Sequence, residues 1–363
     1  MSQHIYSYTE LYQFALKVFT SIGCSNEDAS LASSVLLSAD LRGIDSHGIA
    51  RLVGYVRLWE VGRINAQPNI QIVHETPSTA VVDGDKGLGL IVAPRAMQIA
   101  MEKAKQVGTG WVSVKNSNHF GIAGYHAMMA LEQEMIGIAM TNASALVAPT
   151  YAAEKLLGTN PIAVAIPAGE AAPFVADFAT TTAANGKLEI AQRNNTTIPL
   201  GWAQDAAGNP TQDANILKNG GALLPLGSEK EQGSHKGYAL GSIVDIFSAV
   251  LSGASFGPWA PPFPAYVPMP ENMPGEGLGH FIGAMRIDAF RPAADFKSNM
   301  DLWLNRFRNA TPASGHEQVY VAGDIERAME KERMQKGITL VGAVQNDLKA
   351  LAEKMALAFN IKR

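Results

Sequence analysis

Cysteine is almost missing: Cys24 is the only one in 363 residues. An intramolecular disulfide framework is therefore excluded, and a reducing compartment such as the cytoplasm is expected. Charge is sparse and balanced, at 17% of residues with a formal net charge of −4. No basic footprint exists for nucleic acid. The most apolar stretch, 236–253, is broken by Asp245 and several serines, whereas a membrane span needs about 20 mostly apolar residues. The start, MSQHIYSYTELYQF, has no basic segment leading into an apolar one, so no signal peptide is expected. HExxH and paired cysteines are lacking too, and no metal site is expected. What remains is a chain that is 47% hydrophobic, long enough for about two domains at ~150 residues each.

The hydrophobic pattern predicts two helices over 8–42, the second opened by Ser25 and closed at Gly43. A third helix is expected from Asp45 or Ser46 onward. Residues 66–82 read as extended, 89–107 as a helix, and "TGWVSVKNSNH" as a strand ending in a polar turn. Further strands follow at "IGIAMTNA", "PIAVAIPA" and "FVADFATTT", with helices between and after them. Strands alternating with helices over 80–195 argue for an α/β sheet with covered faces. Residues 257–284 hold many of the 19 prolines and read as a long excursion. Helices are expected again at 324–336 and 342–360.

Among the motifs, "GDKGLGLIVAP" places Gly87-x-Gly89 between a strand and a helix. Val92 stands where a dinucleotide fingerprint needs Gly or Ala, and no acid follows near 107–112. A tight turn explains these glycines as well. "VKNSNHFG", residues 114–121, runs a strand into polar residues, His119 and Gly121. Polar groups at the end of a buried strand are where α/β enzymes place chemistry; alternatively Asn116 and Asn118 satisfy a turn. Asp177, at the end of an apolar strand, needs a partner or solvent, or serves as a helix cap.

The densest constellation is "IDSHGIARLVGY", residues 44–55. On a helix, His47, Arg51 and Tyr55 recur every four residues and share one face. A guanidinium grips a carboxylate in two parallel hydrogen bonds, and a histidine near neutrality moves a proton on the adjacent oxygen. The stretch is either a solvated helix face or, with Arg51 beside His47 or His119, equipment for a 2-hydroxy or 2-keto acid.

Five motifs in order, "SHGIARLVGY", "VKNSNHFGIAGY", "LGTNPIAVAIP", "ADFATTTAANGK" and "SHKGYALGSIVDIFSAVLSG", run over nearly the whole chain. Together they resemble the malate/L-lactate/L-sulfolactate dehydrogenases of the second type. That family also holds ureidoglycolate dehydrogenase, diketogulonate reductase and a cyclic-imine reductase. The resemblance implies a non-Rossmann, mixed-sheet α/β fold of the L-sulfolactate dehydrogenase-like type, with helical N- and C-terminal segments. It implies a helical, substrate-binding part over 1–120 completed by 310–363, and a cofactor-binding α/β part over 121–309. It further implies a homodimer with shared active sites, to which the stretch 256–270 with Trp259 and Phe263 is expected to contribute.

By the same resemblance, Ser46, Arg51 and Tyr55 surround the substrate, and His119 is the proton donor and acceptor, a role some members assign to the equivalent of His47. Asp177, Phe178, Ala179, His235, Lys236, Gly323, Asp324 and Ile325 would contact the cofactor, NAD, with NADP possible. The chain departs from the pattern at Ala143, where relatives often carry serine, and at Ala322-Gly323-Asp324, where P-G-E is common. The expected activity is interconversion of a small 2-hydroxy acid and its 2-keto acid, malate first and lactate second. The other reactions of the family, or ligand binding without turnover, are the alternatives.

Overall fold

The structure, a computed structural model, describes residues 3–359. It begins with a short strand, β1 (Gln3–Tyr6), and a helical hairpin, α1 (Tyr8–Ser21) and α2 (Asn26–Leu41). Ser7 and Glu10 cap α1 reciprocally, and Ser25 caps α2, so one orphan amide of each first turn, that of Glu10 and that of Asp28, is met. Helix α1 buries Leu11, Phe14, Ala15, Val18 and Phe19, an i, i+3, i+4, i+7 stripe.

Residues 45–51 differ from the expected continuous helix. They form two tight 3-10 turns, Asp45–His47 and Ile49–Arg51, and only then α3 (Leu52–Glu60). The cause is local: the buried Asp40 carboxylate takes the Ile49 amide at 2.6 Å, and the backbone is extended at Gly48. An amide held by Asp40 is lost to an i→i−4 ladder.

Strands β2 (Gln71–Glu75) and β3 (Thr79–Asp83) lead to α4 (Gly89–Val107), β4 (Thr109–Ser117), α5 (Ala123–Met128) and β5 (Met135–Thr141). β6 (Ile162–Ile166), β7 (Phe174–Phe178) and α6 (Asn185–Asn194) follow, then a small sheet of β8 (Ala203–Gln204), β9 (Pro210–Thr211) and β10 (Ala222–Leu223). Helix α7 (Ser234–Asp245) runs into a π turn at 246–250. β11 (Leu278–Arg286), α8 (Ala293–Arg308), α9 (Asp324–Lys336), β12 (Ile338–Val341) and α10 (Gly342–Lys354) complete the chain. None of the helices among the described residues is long and apolar enough to cross a membrane.

The main sheet has seven strands in the order β2-β3-β4-β11-β5-β6-β7. It is mixed, as the resemblance implied. Only β3 and β4 pair in parallel, through the α4 crossover that such a pair requires. The other pairs are antiparallel, with β11 wedged between β4 and β5.

Strand β11 corrects the reading of 257–284 as one excursion, because its last residues form the middle of the sheet. Glycines hid it. A Cβ on Gly283 would sit 2.4 Å from the Trp111 ring, and one on Gly279 2.0 Å from the Ser248 carbonyl oxygen. Close approach of neighbours, rather than a loop, explains both. The strand pairs β1–β12 and β8–β10, and helix α8, are also additions to the sequence reading. In α8 only Leu304 is buried, which leaves little periodic signal.

Alternating antiparallel pairs make β4, β5 and β7 run the same way. The C-terminal ends of β4 and β7, which carry His119 and Asp177, therefore lie along one side of the sheet. One core joins α1, α2, α3 and the start of α4 to β12 and α10. A second lies between the sheet and helices α4 and α5, and a third supports the small sheet.

Candidate active site

His119 leaves the end of β4 with its ring turned toward the segment 44–55. Tyr55 Oη lies 2.7 Å from His119 Nδ1. His47 stacks on His119 at 5.5 Å between ring centroids, and Ser46 Oγ is 2.9 Å from His47 Nδ1. Arg51 Nε donates to the Ser46 carbonyl at 2.6 Å. No hydrogen-bond partner among the described residues occupies its two terminal nitrogens, so a fork remains for a ligand. Two tight turns and α3 thus bring together the side chains that the four-residue spacing had placed on one helical face.

The sequence reading did not place Phe263 here. Its ring meets Tyr55 edge-on at 5.4 Å, lies 4.9 Å from His119, and carries the Arg51 guanidinium 5.5 Å from its centroid. It is half-buried as a wall of the site. The aromatic run "FGPWAPPFPAYVPMP" held the signal, but nothing local says which ring turns inward.

Electrostatics follow from this packing. Burial, with the Arg51 cation in second place, pushes His47 down to about 4. Burial also holds His119 well below the usual histidine range, helped by His47, Arg51 and His280. Both rings are neutral at neutral pH. The Tyr55 hydroxyl is pushed up by burial, against the pull of Arg51, and keeps its proton. Arg51 is the cation of this cluster, and among the described residues no carboxylate pairs with it.

The asparagines of 116–118 are structural. Asn118 donates to the carbonyls of Lys86 and Gly87, and Asn116 to Asp83. The glycine turn after β3 is therefore stapled to the end of β4, which accounts for its glycines without a pyrophosphate.

Asp177 accepts the Gly124 amide at 2.7 Å, so it caps α5 from a neighbouring strand. α6 is capped without it, by Ala184 and no side chain. A Cβ on Gly124 would lie 2.9 Å from the Asp177 carboxylate. Although Asp177 is open to solvent on one side, the protein mass around its carboxyl pushes it up to about 6, against the Gly124 amide and Arg42. The helix it caps starts four residues after His119. From the other side, Gly186 packs at Ser46, with 3.1 Å to a built Cβ.

Phe178 is exposed and Ala179 half-buried just beyond. α7 flanks the following residues: Leu226 N donates to the Thr180 carbonyl, and Gly237 and Gly241 pack on Leu226 and Thr180. His235 and Lys236 are exposed on its first turn. The turn 322–325 hooks onto β7, with Val175 N donating to the Ala322 carbonyl. Asp324 is fully engaged, by Arg308 Nε and Nη2, Arg327 Nη2 and the Val321 amide. No hydrogen bond or ring contact among the described residues links His235, Lys236 or Gly323–Ile325 to the His119 cluster. No cluster of metal-ligating side chains occurs among the described residues.

The profile described as malate/L-lactate dehydrogenase matches residues 6–349. The chain belongs to the malate/L-lactate dehydrogenase family. It is 42% identical over 349 residues to a malate dehydrogenase of Pyrococcus abyssi, covering 96% of this chain and 94% of that one. It is 39% identical over 343 residues to an L-sulfolactate dehydrogenase of Methanocaldococcus jannaschii, covering 94% of each. Among solved structures, the malate dehydrogenase of Entamoeba histolytica superposes with a TM-score of 0.91 at 34% identity, covering 99% of this chain and 100% of that one. As a member of this family the chain is an oxidoreductase of the hydroxyacid dehydrogenase type, and membership implies a nicotinamide cofactor.

The donor set fits such a group. The first turn of α7 with exposed His235 and Lys236 suits a pyrophosphate, and the exposed Phe178 ring suits a flat heterocycle.

Proposed function

We propose that this member of the malate/L-lactate dehydrogenase family interconverts a small 2-hydroxy acid and its 2-keto acid, malate first and lactate second. The observation that carries this reading is the Tyr55–His119 bond beside the open fork of Arg51. Arg51 holds the substrate's C1 carboxylate in two parallel bonds, with the Phe263 ring beneath it and the Ser46 carbonyl fixing its Nε. When bound, a nicotinamide group would supply the hydride chemistry needed at C2 of the substrate. His119 then exchanges a proton with the oxygen on C2, and His47 and Tyr55 orient that oxygen. A carboxylate on Arg51 offsets the cation that helps keep both histidines neutral. Substrate binding therefore favours protonation of His119 when a keto acid is to be reduced.

The cofactor is held, in this reading, by Asp177, Phe178, Ala179, His235, Lys236 and the turn Gly323–Ile325. NAD is preferred over NADP, because Asp324 occupies the donors of Arg308 and Arg327 that a 2′-phosphate would need. The enzyme is cytoplasmic and a homodimer with shared active sites. Exposed Ile243, Ile246, Phe247, Val250 and Leu251 along α7 and its π turn supply the apolar surface such an interface buries.

The test is to follow reduced-cofactor absorbance with NAD and NADP against malate, lactate, sulfolactate and ureidoglycolate, with light scattering on the same sample. Malate or lactate oxidised fastest, by a dimer or higher even multiple, supports the reading. Turnover confined to ureidoglycolate, or by a monomer, overturns the substrate or the assembly.

A further inference from the structure

Phe263 sits on a corner that has few ways of being held, because Pro261, Pro262 and Pro264 have no N–H to donate. The single backbone donor of that corner, the Phe263 amide, gives its bond to Ser144 Oγ at 3.2 Å. The same hydroxyl donates to the Pro261 carbonyl at 3.1 Å. One side chain thus accepts from one end of the corner and donates to the other, which uses both capacities of a serine. Ser144 stands just past the end of β5, so it ties the Pro-rich segment to a strand inside the main sheet.

Two neighbours complete the mount. Arg63, just past α3, donates through its terminal nitrogens to the carbonyls of Pro262 and Val267 at 3.2 and 2.7 Å. Gly54 on α3 leaves room for the ring, since a Cβ there would lie 2.6 Å from Phe263 Cε1. Among the described residues, Ser144 alone hydrogen-bonds Phe263 itself. Held in this way, the ring lies 5.5 Å from the Arg51 guanidinium and 4.9 Å from the His119 ring.

We infer that Ser144 is a positioning residue: by closing the Pro261–Phe263 corner it holds the Phe263 ring against Arg51 and His119. The inference rests on the reading of Arg51 as the carboxylate clamp and His119 as the acid/base. A ring held against the guanidinium fixes its plane and adds cation–π attraction. The fork is then preset for a carboxylate, and binding costs less ordering. The same ring keeps water from His119, and burial is the first cause of that histidine's low range. The charged and titratable groups around His119 are His47 and Arg51 from the tight turns, Tyr55 from α3 and His280 from β11. None of these hydrogen-bonds Ser144.

The test compares Ser144→Ala, which removes the latch, with Ser144→Thr, which keeps the hydroxyl, and Phe263→Leu, which removes the ring. Ser144→Ala and Phe263→Leu should each raise KM for the hydroxy acid roughly three- to tenfold, the equivalent of a partly buried cation–π contact. Their kcat should stay within about twofold, since the contact is present in ground and transition states alike. In both, water reaches His119 and favours its charged form, so the acid limb of kcat/KM for oxidation should move to higher pH. Ser144→Thr should keep the parental KM and limb. Ser144→Ala added to Phe263→Leu should cost nothing more, because a residue acting through Phe263 has nothing left to act on. A parental KM or limb in Ser144→Ala, a Ser144→Thr as impaired as Ser144→Ala, or losses that add in the double variant overturn the inference. Arg51→Lys and His119→Gln assayed beside these keep the two ideas apart. Parental KM in the first, or parental turnover in the second, removes the reading of the site itself. Losses in both beside an indifferent Ser144→Ala remove only the role of Ser144.

Discussion

Asp40 links the scaffold to the site, and its replacement makes a demanding test of how the substrate loop is held. The side chain is 1% exposed, and its carboxylate accepts the Ile49 amide in the middle of the turns that carry Ser46, His47 and Arg51. Asp40→Ala leaves that amide buried without an acceptor, a loss of about 1–3 kcal/mol. At roughly 2–4 °C per kcal/mol, Tm should fall by several degrees. Asp40→Asn keeps an acceptor oxygen and removes a buried charge, so it should fold as well as the parent or better. The sign with pH follows from the cause. Burial, with Asp45 adding to it, holds the Asp40 carboxyl well above the usual carboxylate range, against the Ile49 amide and Arg333. The folded chain therefore binds that proton more tightly than the unfolded chain. The stability this contributes is complete below the ordinary carboxylate range and is lost as pH rises through the raised value. The advantage of Asp40→Asn over the parent should widen from mildly acidic to mildly alkaline buffer. Calorimetry at both pH values, with KM and kcat for the hydroxy acid, reads all of this. Asp40→Ala should also raise KM, because Arg51 loses its mount. A parental Tm and KM in Asp40→Ala, or an Asp40→Asn as unstable as Asp40→Ala, would refute the reasoning.

Replacing His119 with Ala should cost about 10²–10⁴ in kcat while substrate still binds; parental turnover there with collapse in His47→Ala would reverse the two roles. In the unsubstituted enzyme the depressed His119 keeps the base form present through neutral pH, so oxidation should fall only on the acid side, measured as kcat/KM against pH. Arg51→Lys keeps the charge but loses the fork and its stacking on Phe263, and KM for carboxylate substrates should rise strongly. An unchanged KM would place the carboxylate elsewhere. Asp324→Asn frees Arg308 and Arg327, so the ratio of kcat/KM for NADP over NAD should increase; no change in that ratio would remove Asp324 from cofactor choice.

Much of the secondary structure was legible because it is local. The cap at Ser25, the apolar stripe of α1 and the alternation through β3 to β7 depend on residues a few positions apart. The ordered motifs carried the family and the mixed sheet, and they named the histidine, arginine and tyrosine that meet in the site. Other features depend on neighbours distant in the chain. β11 looks like a loop until Trp111 and Ser248 come close enough to demand glycine. Residues 45–51 look helical until the Asp40 carboxylate takes the Ile49 amide. Asp324 looks free until Arg308 and Arg327 close on it, and Asp177 caps a helix from a different part of the chain. Phe263 reaches His119 only because the Pro-rich segment folds back across α3. Propensity and periodicity act over one or two turns. The partner of a buried polar group is chosen by whatever the tertiary fold brings within hydrogen-bonding distance.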